Sequence, residues 1–141
     1  MIDDSMMFGI HRISRYCRMY SESEVLFVTS FFYTKLELEG AASVDSWFEG
    51  CNLFKRKFVI VPVNRQLHWI LLIIINPGLL ASTDTDGGET CCILALDSLK
   101  INKKQLSKYC AVLSCWLNRE WAKTHPNSVN NEIKIFAPSG T

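Results

Sequence analysis

No apolar stretch in this chain is long enough to cross a bilayer. The longest, Trp69 to Ile75, falls far short of the roughly 20 residues that a spanning helix needs, so no membrane partner is expected. No basic segment precedes an apolar one at the N-terminus. MIDDSMMF carries two acids, Asp3 and Asp4, and does not read as a secretory signal. No charge of either sign dominates: Lys plus Arg number 15, Asp plus Glu 14, and the net charge is +1. The basic runs at Lys55 to Lys57 and Lys103 to Lys104 are short and read as solvated faces, so no nucleic-acid partner is expected. No C-x-x-C pair occurs among the 6 cysteines, at positions 17, 51, 91, 92, 110 and 115. Cys91 and Cys92 are adjacent on a β-prone run and would point to opposite faces, which is poor geometry for a metal. Neither a metal nor another cofactor is expected. Without an export signal, and in apolar company, these thiols read as reduced residues of an intracellular protein, nuclear or cytoplasmic. Internal repeats and low-complexity tracts are also lacking.

What is present fits one domain: 141 residues, 48% hydrophobic and 21% charged. Met6, Ile10, Ile13 and Cys17 recur at helical spacing after a possible cap at Asp3 or Asp4. Val25 to Val28 is a short β-prone run. Thr29 and Ser30, both good cap residues, open an aromatic-rich helix. The segment around Trp47 reads as a short helix. Three strand candidates follow, at Lys57 to Val63, His68 to Ile75 and Cys91 to Leu96. Pro62 suggests an edge position or bulge in the first. The second is apolar throughout its length after His68, as expected of a strand covered on both faces. Asn76 to Thr90, rich in Gly, Ser, Thr and Asp, reads as an exposed loop. A long helix is expected over about 103 to 123, with the stripe Leu106, Cys110, Leu113, Leu117, Trp121. Pro126 and the Asn-rich segment after it end the helix, and Glu132 to Phe136 reads as a further strand. Strands mixed with helices indicate an α/β or α+β layer fold.

One residue stands out. His68 opens an apolar strand where an aliphatic would pack without needing a partner. A lone histidine there is ordinarily structural, satisfied by hydrogen bonds. However, the strand Cys91 to Leu96 runs into Asp97. If the two strands are antiparallel neighbours, the start of one lies beside the end of the other, and an imidazole can meet a carboxylate at one rim of the sheet. A carboxylate on one ring nitrogen fixes the tautomer and stabilises imidazolium, leaving the other nitrogen to take a proton from a nucleophile. Asp97 could equally cap the turn that follows it. An unrelated α/β domain with a coincidental His-Trp would leave His68 and Asp97 out of reach of each other.

The stretches FVIVPVNRQLHWILLIII and ILALDSLK resemble the cysteine proteases that process SUMO and related ubiquitin-like modifiers, the sentrin-specific proteases, which share the fold group of the adenovirus protease. IDDSMMFGI is similar to the family's Leu-Asn-Asp-x-Ile-Ile opening, VTSFFYTKL to a Ser-Ser-Phe-Phe-Tyr-x-x-Leu stretch of the branch that edits polymeric SUMO chains, and VDSWFEGCNLFKRKFVIVPVN to that branch's Trp-containing segment before the histidine strand. The resemblance covers nearly the whole chain, in order. It implies an α+β, adenovirus-protease-like (papain-like group) fold, with a mixed central sheet flanked by helices. It implies a cysteine-type peptidase or isopeptidase whose partner is SUMO or another ubiquitin-like protein and its conjugates. It makes His68 the general base, Asp97 the residue that orients it, and Trp69 a wall of the narrow channel that admits a Gly-Gly tail. Trp69 could also be an ordinary core tryptophan.

The resemblance also points to something missing. The family's nucleophile lies in a Gln-x-Asn-x-x-Asp-Cys-Gly stretch after a strand like IKIFAP, and no Asp-Cys-Gly occurs in this sequence. Its second channel aromatic precedes Leu-Asn-Asp, where this chain has only Met1. Residues 1–141 are therefore expected to be a partial catalytic domain, incomplete in the C-terminal part that carries the thiol. The alternative is an inactive fragment or pseudoenzyme that only binds a ubiquitin-like protein. Either way, the 141 residues alone are expected not to hydrolyse peptide or isopeptide bonds.

Overall fold

Alternating β-branched and aliphatic residues draw the middle of the chain into strands. The computed structural model describes residues 24–65, 68–82, 89–97 and 103–138. The helix expected around Met6 to Cys17 lies outside them. Five strands, β1 (Val25–Phe27), β2 (Phe58–Arg65), β3 (His68–Ile75), β4 (Cys92–Asp97) and β5 (Lys134–Phe136), form one sheet in the order β1-β2-β3-β4-β5. The two inner pairings are antiparallel and the two outer ones parallel. Helix α1 (Ser30–Glu39) joins β1 to β2, and α2 (Lys103–Thr124) joins β4 to β5. This is the mixed, helix-flanked α+β architecture expected from the resemblance.

Both helices contribute to one core with the same sheet face. Val59, Val61 and Val63 of β2, Ile70, Leu72 and Ile74 of β3, and Ile93 and Ala95 of β4 are buried there. They are cross-strand neighbours, since Val61 pairs with Leu72 and Leu72 with Ala95. The α2 stripe Leu106, Cys110, Leu113, Leu117, Trp121 is buried as its spacing requires, joined by Tyr109, Trp116 and Glu120. The helices meet through aromatic rings: Phe32 packs edge-on against Trp116 at 4.8 Å, and Tyr33 against Tyr109 at 5.8 Å.

Three expectations are refined. First, β3 is not equally covered on both sides. His68, Ile70, Leu72 and Ile74 are buried, while Trp69, Leu71, Ile73 and Ile75 are only partly so. Second, the Trp47 segment is not an α-helix. It runs from a 3₁₀ turn at Ala41–Val44 to another at Leu53–Lys55. Gly40, Gly50 and Asn52 adopt φ of 89°, 75° and 54°, which interrupt helical hydrogen bonding. Third, Thr29 occupies the N-cap of α1 in extended backbone but makes no side-chain cap bond.

Pro62 sits inside the sheet at a locally open edge. Phe58 donates its N–H to Glu24 and the Ile60 carbonyl accepts from Val28 N–H, so even-numbered β2 residues face the β1 side. Pro62 faces that side two residues further on, where β1 has ended, and its missing N–H breaks no ladder bond.

Candidate active site

The register of β3 and β4 decides what meets at the rim. Asp97 lies directly opposite Ile70, so its side chain shares the face that carries Ile70 and, two residues earlier, His68. The two side chains meet diagonally: His68 Nε2 lies 2.6 Å from Asp97 Oδ1. Their side chains are 9% and 6% exposed, so the contact is shielded from water, where a charge interaction is worth more than at the surface. The oxygen lies off the line of the ring N–H, which makes this a close contact rather than an aligned hydrogen bond. The other ring nitrogen, Nδ1, is buried and has no hydrogen-bond partner among the described residues. Trp69 is the next residue on the strand, so its side chain leaves the opposite face, where it is partly buried across from Asn64. The fold thus brings His68 and Asp97 together and places Trp69 on the other side of the same strand end.

No described cysteine has the features of a nucleophile for this histidine. Cys92 pairs with Ile75 at the other end of β3, roughly 20 Å along the strand from His68. Cys91 precedes it and is buried. Burial pushes the Cys91 thiol up to about 12, with Cys92 adding to the effect, and raises the Cys92 thiol as well. Cys110 is sealed inside α2, and burial pushes it to about 11. A catalytic thiol needs the opposite shift. Cys51 precedes the Leu53–Lys55 turn, which lies against Gly78 beyond the far end of β3. Cys115 is exposed on α2. Cys17 lies outside the described residues.

A hollow of about 590 Å³ lies away from this rim, lined by Phe48, Leu53, Phe54, Glu120 and Lys123 among others. Its lining contains neither histidine nor cysteine. Among the described residues, no three His, Cys, Asp or Glu side chains are placed to hold a metal, and no helix is long and apolar enough to cross a membrane.

The sequence reading missed the charged residue paired with the histidine across the hairpin. Arg65 is paired with His68 across the β2–β3 hairpin and forms an ion pair with Glu37 of α1. The signal was available: a two-residue connection between antiparallel strands puts the residues flanking it directly opposite each other.

An imidazole held against a carboxylate at the rim of a sheet is the arrangement of hydrolases that activate a nucleophile through histidine. Residues 1–139 match the Ulp1 protease family, C-terminal catalytic domain, and the chain belongs to that family. It is 30% identical over 97 residues to a probable ubiquitin-like-specific protease 2A of Arabidopsis thaliana, covering 68% of this chain and 12% of that protein. It is 34% identical over 79 residues to sentrin-specific protease 2 of Homo sapiens, covering 54% of this chain and 13% of that protein. Among solved structures, it superposes on a de-sumoylating protease with TM-score 0.73 at 25% identity, covering 96% of this chain and 52% of the other. The yeast Ulp1 protease domain in complex with Smt3, the yeast ortholog of SUMO, gives TM-score 0.65 at 20% identity, covering 97% and 55%. The chain thus spans about an eighth of those curated relatives and about half of those solved protease chains.

Proposed function

We propose that this chain carries the base and the orienting acid of a cysteine-type peptidase or isopeptidase acting on SUMO or another ubiquitin-like modifier. The observation that carries the reading is the 2.6 Å approach of His68 Nε2 to Asp97 Oδ1, with Nδ1 left without a hydrogen-bond partner among the described residues. In this reading Asp97 holds the imidazole and stabilises its charged form. Nδ1 takes the proton of an attacking thiol and later returns it to the leaving amine. Burial raises the Cys91, Cys92 and Cys110 thiols, the opposite of what a nucleophile needs, and this supports a nucleophile supplied from outside these 141 residues, which then form part of a catalytic domain. Trp69 lines the approach at the end of β3, where a flat indole suits an extended diglycine and excludes bulkier chains. The relatives named for ubiquitin-like and sentrin-specific proteolysis, and the neighbour solved with Smt3, support the choice of modifier.

The experiment has two arms. The 141-residue chain is mixed with SUMO carrying a C-terminal fluorogenic amide, and separately titrated with unconjugated SUMO and ubiquitin while amide spectra are recorded. The expected result is no turnover, with shifts centred on Trp69 and His68 for at least one modifier. Turnover abolished by replacing a single cysteine of this chain would overturn the external nucleophile. Unchanged spectra with every modifier would remove the substrate assignment.

A further inference from the structure

The sheet face opposite the helices is almost wholly apolar. The register places even-numbered residues of β2 and β4 on it, together with odd-numbered residues of β3. All of those side chains lack hydrogen-bonding groups except Asn64, the Trp69 indole and, at the far end of the strands, the Cys92 thiol. Asn64 and Trp69 are direct cross-strand partners, both partly buried. The carbonyl of Lys57, just before β2, accepts from Asn76 N–H at 2.8 Å, so odd-numbered residues carry the hydrogen bonds to β3. Asn64–Trp69 is therefore a non-hydrogen-bonded pair, the kind in which facing side chains come closest, with Cα atoms about 4.5 Å apart. Behind this pair, Pro62 is buried opposite Leu71. His68 is the residue before Trp69, one strand step of about 3.4 Å away.

A diglycine tail has no side chains to read. A flat wall excludes bulkier chains, and what is left to recognise is the tail's own peptide N–H and C=O groups. A carboxamide offers two donors and an acceptor of the same chemistry, and being neutral it avoids the desolvation cost of a charge. The neighbouring pair, Pro62 and Leu71, is apolar, so packing alone does not call for an amide here. We infer that Asn64 is a substrate-binding residue: its carboxamide hydrogen-bonds the main chain of the extended tail as the tail passes the Trp69 indole. That contact sets the register in which the scissile bond reaches His68. The inference rests on the reading of Trp69 as a wall of the tail channel.

The test crosses two forms of the chain with two forms of the modifier. Wild type and Asn64→Leu, each as the 141-residue chain, are titrated by calorimetry with SUMO or ubiquitin, whichever shifts the spectra above. Each modifier is used with its C-terminal diglycine intact and with those two residues removed. Wild type is expected to bind the tailed form about tenfold more tightly than the tailless one. Asn64→Leu is expected to lose about fivefold in affinity for the tailed form and nothing for the tailless form. A purely structural role would lower both affinities together. Equal losses on the two forms, or no loss on the tailed form, would overturn the inference. Should Asn64→Leu fail to fold, as judged by its amide spectrum, Asn64→Ala reads the same difference and is held to the same outcomes. A wild type that does not distinguish the two modifier forms removes the Trp69 channel, and this inference with it. A tail preference that persists undiminished in the Asn64 variant removes the role of Asn64 alone.

Discussion

Neighbouring leucines on β3 have opposite fates. Leu72 is 0% exposed beneath the helices, while Leu71, one residue earlier, is only partly covered on the other face. The same holds for Ile74 against Ile73. The covered face is also the one on which His68 and Asp97 meet. A shielded imidazole–carboxylate contact requires that low-dielectric side, and aliphatic content alone does not identify it.

The largest effect expected from this comparison is at the two leucines themselves. Leu72→Ala is expected to cost about 3 kcal/mol or more, through lost transfer energy plus a cavity. Leu71→Ala is expected to cost about 1 kcal/mol, because part of that side chain already faces water. Urea titrations read at constant m-value check both, and equal costs would break the contrast. Next comes the buried pair. Asp97→Ala is expected to cost about 1–3 kcal/mol by stranding the imidazole among apolar neighbours, whereas removing the exposed Lys35–Glu39 pair of α1 is expected to cost less than about 0.5 kcal/mol.

Thiol reactivity sharpens the contrast further. Iodoacetamide at pH 8, read by mass spectrometry, is expected to label Cys115 well before Cys91 and Cys110. The raised Cys91 and Cys110 values also carry a stability statement. Folding favours their neutral forms, so their contribution is complete below the unfolded value of 9.0 and is lost as pH rises through about 11 and 12. The smallest effect belongs to the surface. Asp45 is held at about 2, chiefly by its hydrogen bond to Arg119, with Oδ1 and Oδ2 accepting at 2.9 and 2.8 Å. A depressed carboxylate stabilises above its unfolded value of 3.8, and that contribution is lost as pH falls towards 2. Asp45→Asn is expected to flatten this part of the acid unfolding curve slightly and leave the neutral-pH midpoint almost unchanged.

Much of the fold was legible where periodicity was strong. β3 spans His68–Ile75 as expected, α2 ends one residue beyond the expected limit, and β2 and β4 start one residue later and end one or two residues later than read. Long runs with a single period leave little competition between local structures. The Trp47 segment was not legible, because Gly40, Gly50 and Asn52 override its helical composition through positive φ. The His68–Asp97 contact could be posed from the sequence as a condition on strand direction. The Glu37–Arg65 ion pair could not, since its members come from α1 and β2 and share no spacing pattern.

By itself, the sequence determined the strands, the two described helices, the apolar stripe of α2 and the ordered motifs that place the chain in its family, because each is written in local periodicity or residue order. Only the tertiary structure decided which face of β3 is sealed and that the imidazole meets the carboxylate diagonally at 2.6 Å. It also decided that Arg65 at the end of β2 forms an ion pair with Glu37 of α1. Register and helix placement are set by the packing of the whole core, and no single segment encodes them.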